Sequence, residues 1–215
     1  LFRLTLGGEV VTAEKLLVAA GRVPQIKEIG LDTVDVDPDV EHLTTDGRMR
    51  VLAGDEPLEW LFAVGDIVGK GAFTHTSMYQ SAIVVRHLLG REGAEADFRA
   101  VPRVTFTDPE VGSVGLTEEQ AREQGLDVRT GSVDVAGSAR GWIHHVGNEG
   151  LVKLVADGDV LVGATSVGPM GGEVLSMLTT AVHARVPVST LMTMIYAYPT
   201  FHGAVRDALS DLARS

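Results

Sequence analysis

The stretch that decides the fold is LFAVGDIVGKGAFTHT, residues 61–76. Its opening, LFAVGDI (residues 61–67), predicts a buried apolar strand that delivers Gly65 and Asp66 at its end. A carboxylate at the carboxyl end of a strand lies where α/β proteins bind ligands, and it suits a sugar-like hydroxyl. Thr74 then opens a helix whose exposed amides favour electronegative ligand atoms. The same residues also fit a strand end with Asp66 in an ordinary turn, so the stretch alone leaves two interpretations open.

Upstream of this stretch the sequence predicts a hairpin and a separate strand. FRLTL and EVVTA flank Gly7 and Gly8, an arrangement typical of a tight turn between two strands. In KLLVAAGRVP, the apolar residues 16–20 predict a strand that Gly21 and Pro24 interrupt. Residues 26–60 are acidic and irregular, which indicates loops.

Downstream, HTSMYQSAIVVRHLLG has the apolar spacing of a helix, and a charged connector follows it. This spacing places four apolar side chains on one face of the helix, those of Met78, Ala82, Val85 and Leu89. We expect a domain boundary within residues 90–99, where REGAEADFRA begins.

The second half of the chain predicts strands followed by helices. VPRVTF, EVGSVGL, LDVRTGSVDV, GLVKLVA and VLVGATSVG are strand-like, and residues 157–159 form a hairpin turn. Thr117 is placed to cap a short helix that ends at Gly125. Further helices are expected over residues 172–184, from Pro187, and over residues 200–213. This order of elements indicates an α+β unit.

Composition limits the classes of function. The chain has 215 residues, a formal net charge of −11 and no cysteine. The acidity argues against general affinity for nucleic acid or anionic membranes, and no apolar run is long enough for a membrane span. Without cysteine the chain has no disulfide and no thiolate metal site. Its start lacks the features of a signal peptide, so we expect a cytoplasmic protein. Because the first residue already lies in a predicted strand, we also expect a fragment of a longer protein.

The motifs resemble a known enzyme family. LLVAAGRVP, followed some forty residues later by LFAVGDIVGKGAFTHTSMYQ, resembles the paired signature of the FAD-dependent pyridine nucleotide–disulfide oxidoreductases. That family includes dihydrolipoamide dehydrogenase, glutathione reductase and mercuric reductase. In addition, VPRVTFTDPEVGSVGLTEEQAREQG is similar to the opening of the family's dimerisation domain.

The resemblance implies a fold and a domain order. The fold class would be α/β plus α+β, with the carboxy-terminal part of an FAD domain followed by an α+β dimerisation domain that has a mainly antiparallel sheet. Residues 1–25 would end the NAD(P)-binding domain, residues 26–98 would close the FAD-binding domain, and residues 99–215 would form the dimerisation domain. Both GxGxxG fingerprints and the redox-active cysteine pair of the family are absent, so the chain would match about the last half of such an enzyme.

The same resemblance implies cofactor contacts. Asp66 would bind the ribityl hydroxyls of FAD, and the backbone amides of Phe73, Thr74 and His75 would face the pyrimidine edge of the flavin. The AAGRVP segment passes close to nucleotide and flavin in the family, which makes Gly21 a cofactor-binding residue. Amides at a helix amino end suit this place because they stabilise negative charge on a reduced flavin. His75 is expected to have a positional role.

The carboxy-terminal site departs from the family. Relatives that reduce disulfides carry His-Pro-Thr-x-x-Glu, in which the histidine is the acid/base and the glutamate orients it. In AYPTFHGAV, Tyr198 stands at the histidine position and Gly203 at the glutamate position. Tyrosine has an ordinary pKa of about 10 and histidine about 6.5, so tyrosine is a poor base at neutral pH. Mercuric reductase also carries tyrosine near this position, but its carboxy-terminal cysteine pair is missing here. A quinone or another small acceptor therefore fits better than a dithiol.

Histidines near this region have two interpretations each. His202 lies four residues after Tyr198, so the two would share a face in a continuous helix. His202 is thus a candidate acid/base, and the alternative is a surface or interface histidine. His144 and His145 are adjacent and lack a third ligand at metal-like spacing, so we predict a turn before a strand and no metal site.

These observations favour the carboxy-terminal portion of a homodimeric flavoprotein that passes electrons from NAD(P)H through FAD to a disulfide, quinone or other small acceptor. The dimer would form through residues 99–215, with helices over residues 174–184 and 191–196 at the two-fold interface. Catalysis would involve Tyr198 and His202, and the isolated chain would be inactive. The alternative is a non-catalytic dimerisation module, and a small complete enzyme of unrelated fold is a third possibility.

Overall fold

The computed structural model describes residues 1–214 of the chain. The chain divides into two compact units, Leu1–Ala94 and Glu95–Ser215. Each unit has its own sheets and helices, and each is described separately below.

The first unit opens with the predicted hairpin. Strands β1 (Phe2–Leu6) and β2 (Glu9–Ala13) pair antiparallel, with Leu6 opposite Glu9. Gly7 and Gly8 both have positive φ, 57° and 93°, which is the backbone a two-residue turn between twisted strands requires. The hairpin is confirmed, and its side chains are almost all exposed.

The rest of the first unit is a second hairpin, a long helix and loops. Strands β3 (Arg50–Ala53) and β4 (Glu56–Phe62) pair antiparallel, and helix α1 spans Thr74–Leu88. Two short 3-10 helices lie at Leu31–Val34 and Asp66–Val68. The buried apolar side chains of this unit are Ile26, Leu31, Val36, Leu43, Met49, Val51, Ala63, Val68 and Ile83. Most of them come from loops, so the loops carry much of this core.

One predicted strand of this unit is wrong, and a second ends earlier in the chain than predicted. Residues 16–20 are not a strand, and Leu17 is 90% exposed, because no strand among residues 1–214 pairs with them. The predicted strand over residues 61–67 is shorter and shifted: β4 ends at Phe62 and is only partly buried. Asp66 instead begins a 3-10 helix, and β4 lies in a two-stranded antiparallel sheet. Among residues 1–214, Asp66 therefore follows a strand of an antiparallel hairpin and not a strand of a parallel sheet.

The second unit contains a five-stranded antiparallel sheet. Its strands in chain order are β5 (Arg103–Thr105), β6 (Glu110–Gly115), β7 (Val128–Asp134), β8 (Leu151–Asp157) and β9 (Val160–Gly168). In space the order is β5-β6-β9-β8-β7. The predicted β8–β9 turn is confirmed, with Asp157 opposite Val160. The mixed α/β architecture with a mainly antiparallel sheet agrees with the expected fold class.

Five helices accompany this sheet. They are α2 (Glu118–Glu123), α3 (Ala139–His144), α4 (Gly171–His183), α5 (Val188–Met192) and α6 (His202–Leu212). Thr117 caps α2 as predicted, because its hydroxyl accepts from the Gln120 amide while the Gln120 side chain accepts from the Thr117 amide. No helix within residues 1–214 has both the length and the apolar character that a membrane span requires.

Helices α4 and α6 supply most of the helical part of the second core. Leu175, Leu178 and Leu209 are fully buried together with side chains of β8 and β9. Most apolar side chains of α4 thus pack in the core of their own unit, and the interface role of residues 174–184 stays a prediction. Beyond them, Met194 and Ile195 are exposed, Ile195 to 99%.

The sheet and α6 touch at a glycine. A Cβ placed on Gly131 of β7 would lie 2.3 Å from the Ala208 carbonyl oxygen and 2.4 Å from the Leu212 amide nitrogen. The absence of a side chain at this position lets the helix backbone lie directly on the strand.

Candidate functional site

The turn that carries Asp66 has a backbone that only glycine adopts easily. Gly65 has φ 84° and ψ −153°, which is a region that is nearly forbidden to residues with a side chain. The 3-10 helix follows at once, with the Val68 amide donating to the Gly65 carbonyl at 3.1 Å. This geometry leaves the Asp66 side chain 47% exposed to solvent.

An arginine that the sequence interpretation passed over holds this carboxylate. Arg22 Nη1 donates to Asp66 Oδ2 at 3.1 Å and to the Ala72 carbonyl at 3.2 Å. It thereby bridges the Asp66 turn and the segment before α1. The Asp66 side chain stays half-exposed beside this arginine, so its carboxylate is accessible to a ligand hydroxyl. The available signal was the position of Arg22 in AAGRVP, beside Gly21.

Helix α1 presents its first amides without a side-chain cap. Phe73 is the N-cap residue with an extended backbone, and its side chain makes no capping hydrogen bond. Thr74 and His75 are exposed, and the His75 ring stacks on the Phe73 ring with centroids 5.1 Å apart and planes 9° apart. Uncapped amides at a helix amino end carry partial positive charge and favour electronegative ligand atoms.

Gln80 and Thr76, one helical turn apart, lie buried behind these groups. Gln80 Oε1 accepts from the Gly65 amide at 2.6 Å. Neither Gln80 Nε2 nor Thr76 Oγ1 has a hydrogen-bond partner among the described residues. The sequence interpretation assigned no role to either residue.

These groups fit the sugar-like and flavin parts of FAD. Asp66 offers an exposed carboxylate to a hydroxyl, and the amino end of α1 offers donors to carbonyl or ring nitrogen atoms. Gly21 has φ 140° and no atom within 4 Å of an added Cβ, so its backbone is accessible to a ligand. The chemistry of the first unit is therefore that of one side of a cofactor site.

The structure separates the two carboxy-terminal candidates. Tyr198 is 78% exposed and lies in a turn, while α6 begins only at His202. The four-residue spacing does not therefore put Tyr198 and His202 on one helical face. The neighbouring Tyr196 has a different environment, since its hydroxyl donates to the Leu191 carbonyl at 3.0 Å and its burial raises its pKa. Gly203 lies in the first turn of α6 with open space around it.

The adjacent histidines lie at the end of a helix, where a turn was predicted. His144 is the last residue of α3, and His145 follows with φ 70°. The His144 ring meets the Phe201 ring edge-on at 5.6 Å, and the Arg140 guanidinium lies 5.5 Å from the same ring. His144 thus packs against an aromatic side chain. Within residues 1–214 no group of three or more histidine or acidic side chains is arranged to hold a metal ion.

Comparison with known proteins gives a consistent picture. Residues 101–209 match the family described as the pyridine nucleotide-disulphide oxidoreductase dimerisation domain. The chain is 34% identical over 206 residues to dihydrolipoyl dehydrogenase 2 of Haloarcula marismortui, covering 93% of this chain and 42% of that protein. It is 30% identical over 210 residues to leghemoglobin reductase of Glycine max, covering 94% of this chain and 38% of that protein. The chain thus spans about two-fifths of the length of these relatives.

Solved structures show the same likeness. LpdA from Mycobacterium tuberculosis superimposes with a TM-score of 0.78 at 25% identity, over 97% of this chain and 45% of that one. The HOCl-induced flavoprotein disulfide reductase RclA from Escherichia coli gives a TM-score of 0.73 at 26% identity, over 98% and 47%.

Proposed function

Because the chain belongs to the pyridine nucleotide-disulphide oxidoreductase family, we propose that it is the carboxy-terminal portion of a homodimeric flavoprotein oxidoreductase. The whole protein would pass electrons from NAD(P)H through FAD to a disulfide, a quinone or another small acceptor. Residues 1–25 would then end the NAD(P)-binding domain and residues 26–98 the FAD-binding domain. The similarity to flavoprotein disulfide reductases over less than half of their length supports this assignment.

The observation that carries the proposal is the exposed carboxylate of Asp66 beside the amino end of α1, where the N-cap residue Phe73 makes no side-chain capping bond. Asp66 Oδ1 would accept from a ribityl hydroxyl, while Arg22 fixes the other oxygen. The amides of Phe73, Thr74 and His75 would hold the pyrimidine edge of the flavin. When bound, FAD supplies the capacity to accept a hydride from a nicotinamide and to deliver electrons onward.

At the carboxy-terminal site, exposed Tyr198 and half-buried His202 would face the acceptor. Tyr198 stands where disulfide-reducing relatives have the acid/base histidine, and Gly203 cannot supply an orienting carboxylate. This supports an acceptor whose reduction needs no thiol acid/base, such as a quinone. The homodimer would form through residues 99–215, and the exposed apolar side chains of Met194 and Ile195 suit a buried interface.

The proposal is tested by the flavin content of the full-length protein that carries this sequence. We expect Asp66→Ala to purify with much less bound FAD than wild type, measured by visible absorbance against protein concentration. Asp55→Ala is the matched control, because Asp55 is an exposed carboxylate in the β3–β4 turn. Full flavin occupancy in Asp66→Ala would contradict the assigned site.

The second candidate, a non-catalytic dimerisation module, applies to the 215-residue chain by itself. No GxGxxG fingerprint is present in it, so the chain alone is expected to purify colourless and as a dimer in sedimentation. Turnover of NADH with a dye by this chain would show that it is catalytic by itself.

A further inference from the structure

A buried glutamine on α1 connects the two halves of the proposed cofactor site. Gln80 has no exposed surface, and its side chain reaches back fifteen residues to the amide of Gly65, 2.6 Å away. The amide at Gly65 is a donor, so the atom facing it is the acceptor Oε1 and not the Nε2 group. The bond therefore has a defined direction.

This bond acts on the residue that sets the direction of Asp66. Gly65 has the glycine-only backbone described above, and its N–H donates to a side chain of α1. Arg22 reaches Asp66 from a different segment and is largely exposed. The Gln80 bond, in contrast, is a partly buried connection between the Asp66 turn and the helix whose first amides complete the site.

We propose that Gln80 is a positioning residue for FAD binding, fixing the Gly65–Asp66 turn relative to the amino end of α1. This inference rests on the proposed function. With the bond in place, the Asp66 carboxylate and the α1 amides address one cofactor in a single geometry. Without it, the turn and the helix end are free to shift relative to each other, and FAD must then order both on binding.

The unpaired part of Gln80 argues that packing alone does not explain this residue. Its Nε2 is buried without a partner among the described residues, and a buried donor without a partner destabilises a fold. An unbranched apolar residue of similar size would remove that penalty. A glutamine at this position therefore fits a role in the site, because functional sites commonly hold residues that lower the stability of the fold.

The experiment compares FAD dissociation constants of the full-length apoprotein by quenching of flavin fluorescence. Gln80→Met removes the acceptor and keeps the length of the side chain, so we expect FAD binding about two- to tenfold weaker. Gln80→Glu keeps an acceptor for the Gly65 amide and is expected to bind within about twofold of wild type. Thr179→Val is the matched control, since it removes a buried hydroxyl without a described partner from α4, outside the proposed site, and its binding should not change.

Thermal unfolding of the same apoproteins separates positioning from general loss of structure. Gln80→Met exchanges an unpaired side-chain amide for an unpaired backbone amide at half-buried Gly65, so its midpoint should stay near that of wild type. Equal FAD binding by Gln80→Met and wild type would overturn the inference. So would a weakened Gln80→Met whose unfolding midpoint falls in parallel, or a folded Gln80→Glu that binds as weakly as Gln80→Met. A wild-type protein that binds no FAD would instead refute the proposed function itself.

Discussion

Replacing Gly131 by alanine tests the packing of α6 on the sheet. The new Cβ would lie 2.3 Å from the Ala208 carbonyl oxygen, 2.4 Å from the Leu212 amide nitrogen and 2.6 Å from the Leu212 Cβ. Ordinary contact begins at 3.4 Å, so the helix backbone must retreat by about 1 Å from β7. Neither partner is the end of a flexible side chain, which means that the strain cannot relax locally.

The cost follows from the buried face of α6. Retreat of the helix loosens the contacts of Ala204, Val205 and Leu209 with the sheet, all of which have no exposed surface. Overpacking of this kind destabilises by about 1–3 kcal/mol. For a unit of this size, that corresponds to a fall in the melting temperature of roughly 3–15 °C.

The assay is thermal and urea unfolding followed by circular dichroism. Gly137→Ala is the control, because its added Cβ meets nothing closer than 3.7 Å. Its free energy of unfolding should stay within about 0.5 kcal/mol of the wild-type value. An unchanged midpoint for Gly131→Ala would refute the argument that α6 and β7 are in direct backbone contact.

Three further outcomes are expected. The Cβ added by Gly203→Ala in α6 would meet no atom within 4 Å. Because alanine has a higher helix propensity than glycine, the free energy of unfolding of the second unit in urea should rise by about 0.5 kcal/mol. A lower unfolding midpoint would contradict this. Asp46 is partly buried, which raises its pKa, but hydrogen bonds from Arg50 outweigh burial and hold the pKa below its usual value. The stability from this pair is therefore present above about pH 4 and is lost as the pH falls through the lowered pKa. In Asp46→Asn the free energy of unfolding should therefore fall less steeply below about pH 4 than in wild type. An unchanged pH dependence would exclude a contribution from the pair. Tyr198→His combined with Gly203→Glu in the full-length protein should raise disulfide reduction relative to quinone reduction, and an unchanged ratio of the two rates would show that this site does not select the acceptor.

The second unit could be predicted well because its signals are local. Asp157 and Gly158 mark the β8–β9 turn, and Thr117 with Gln120 forms a capping box within four residues. The largely apolar sequences of β8 and β9 match the many buried side chains of these two strands. Each of these features is specified by residues that are close in sequence, so no knowledge of distant partners is needed.

The first unit was predicted less well because strand formation depends on partners. Residues 16–20 are apolar enough for a strand, but an apolar run does not say whether a neighbouring strand exists to accept its hydrogen bonds. The same reason explains the strand predicted over residues 61–67, where β4 ends at Phe62 and Ala63 is buried outside the strand.

The candidate site was predicted in part. Asp66 and the start of α1 follow from a contiguous motif, whereas Arg22 is 44 residues from Asp66 and Gln80 is 15 residues from Gly65. Neither pair has a periodicity that connects its members. The shared helical face of Tyr198 and His202 failed for a local reason, since α6 begins only at His202.

The segment between β2 and Ile26 has a practical consequence for handling the protein. Leu17, Val18 and Val23 are exposed to 90%, 71% and 80%, and the backbone there is in neither helix nor strand. Proteases bind exposed backbone that lies outside helices and strands. The exposed apolar side chains of this segment can also associate with a second molecule. Limited digestion would therefore remove the β1–β2 hairpin before it cuts the rest of the first unit, and preparations of this chain alone would gain in homogeneity from trimming to Ile26.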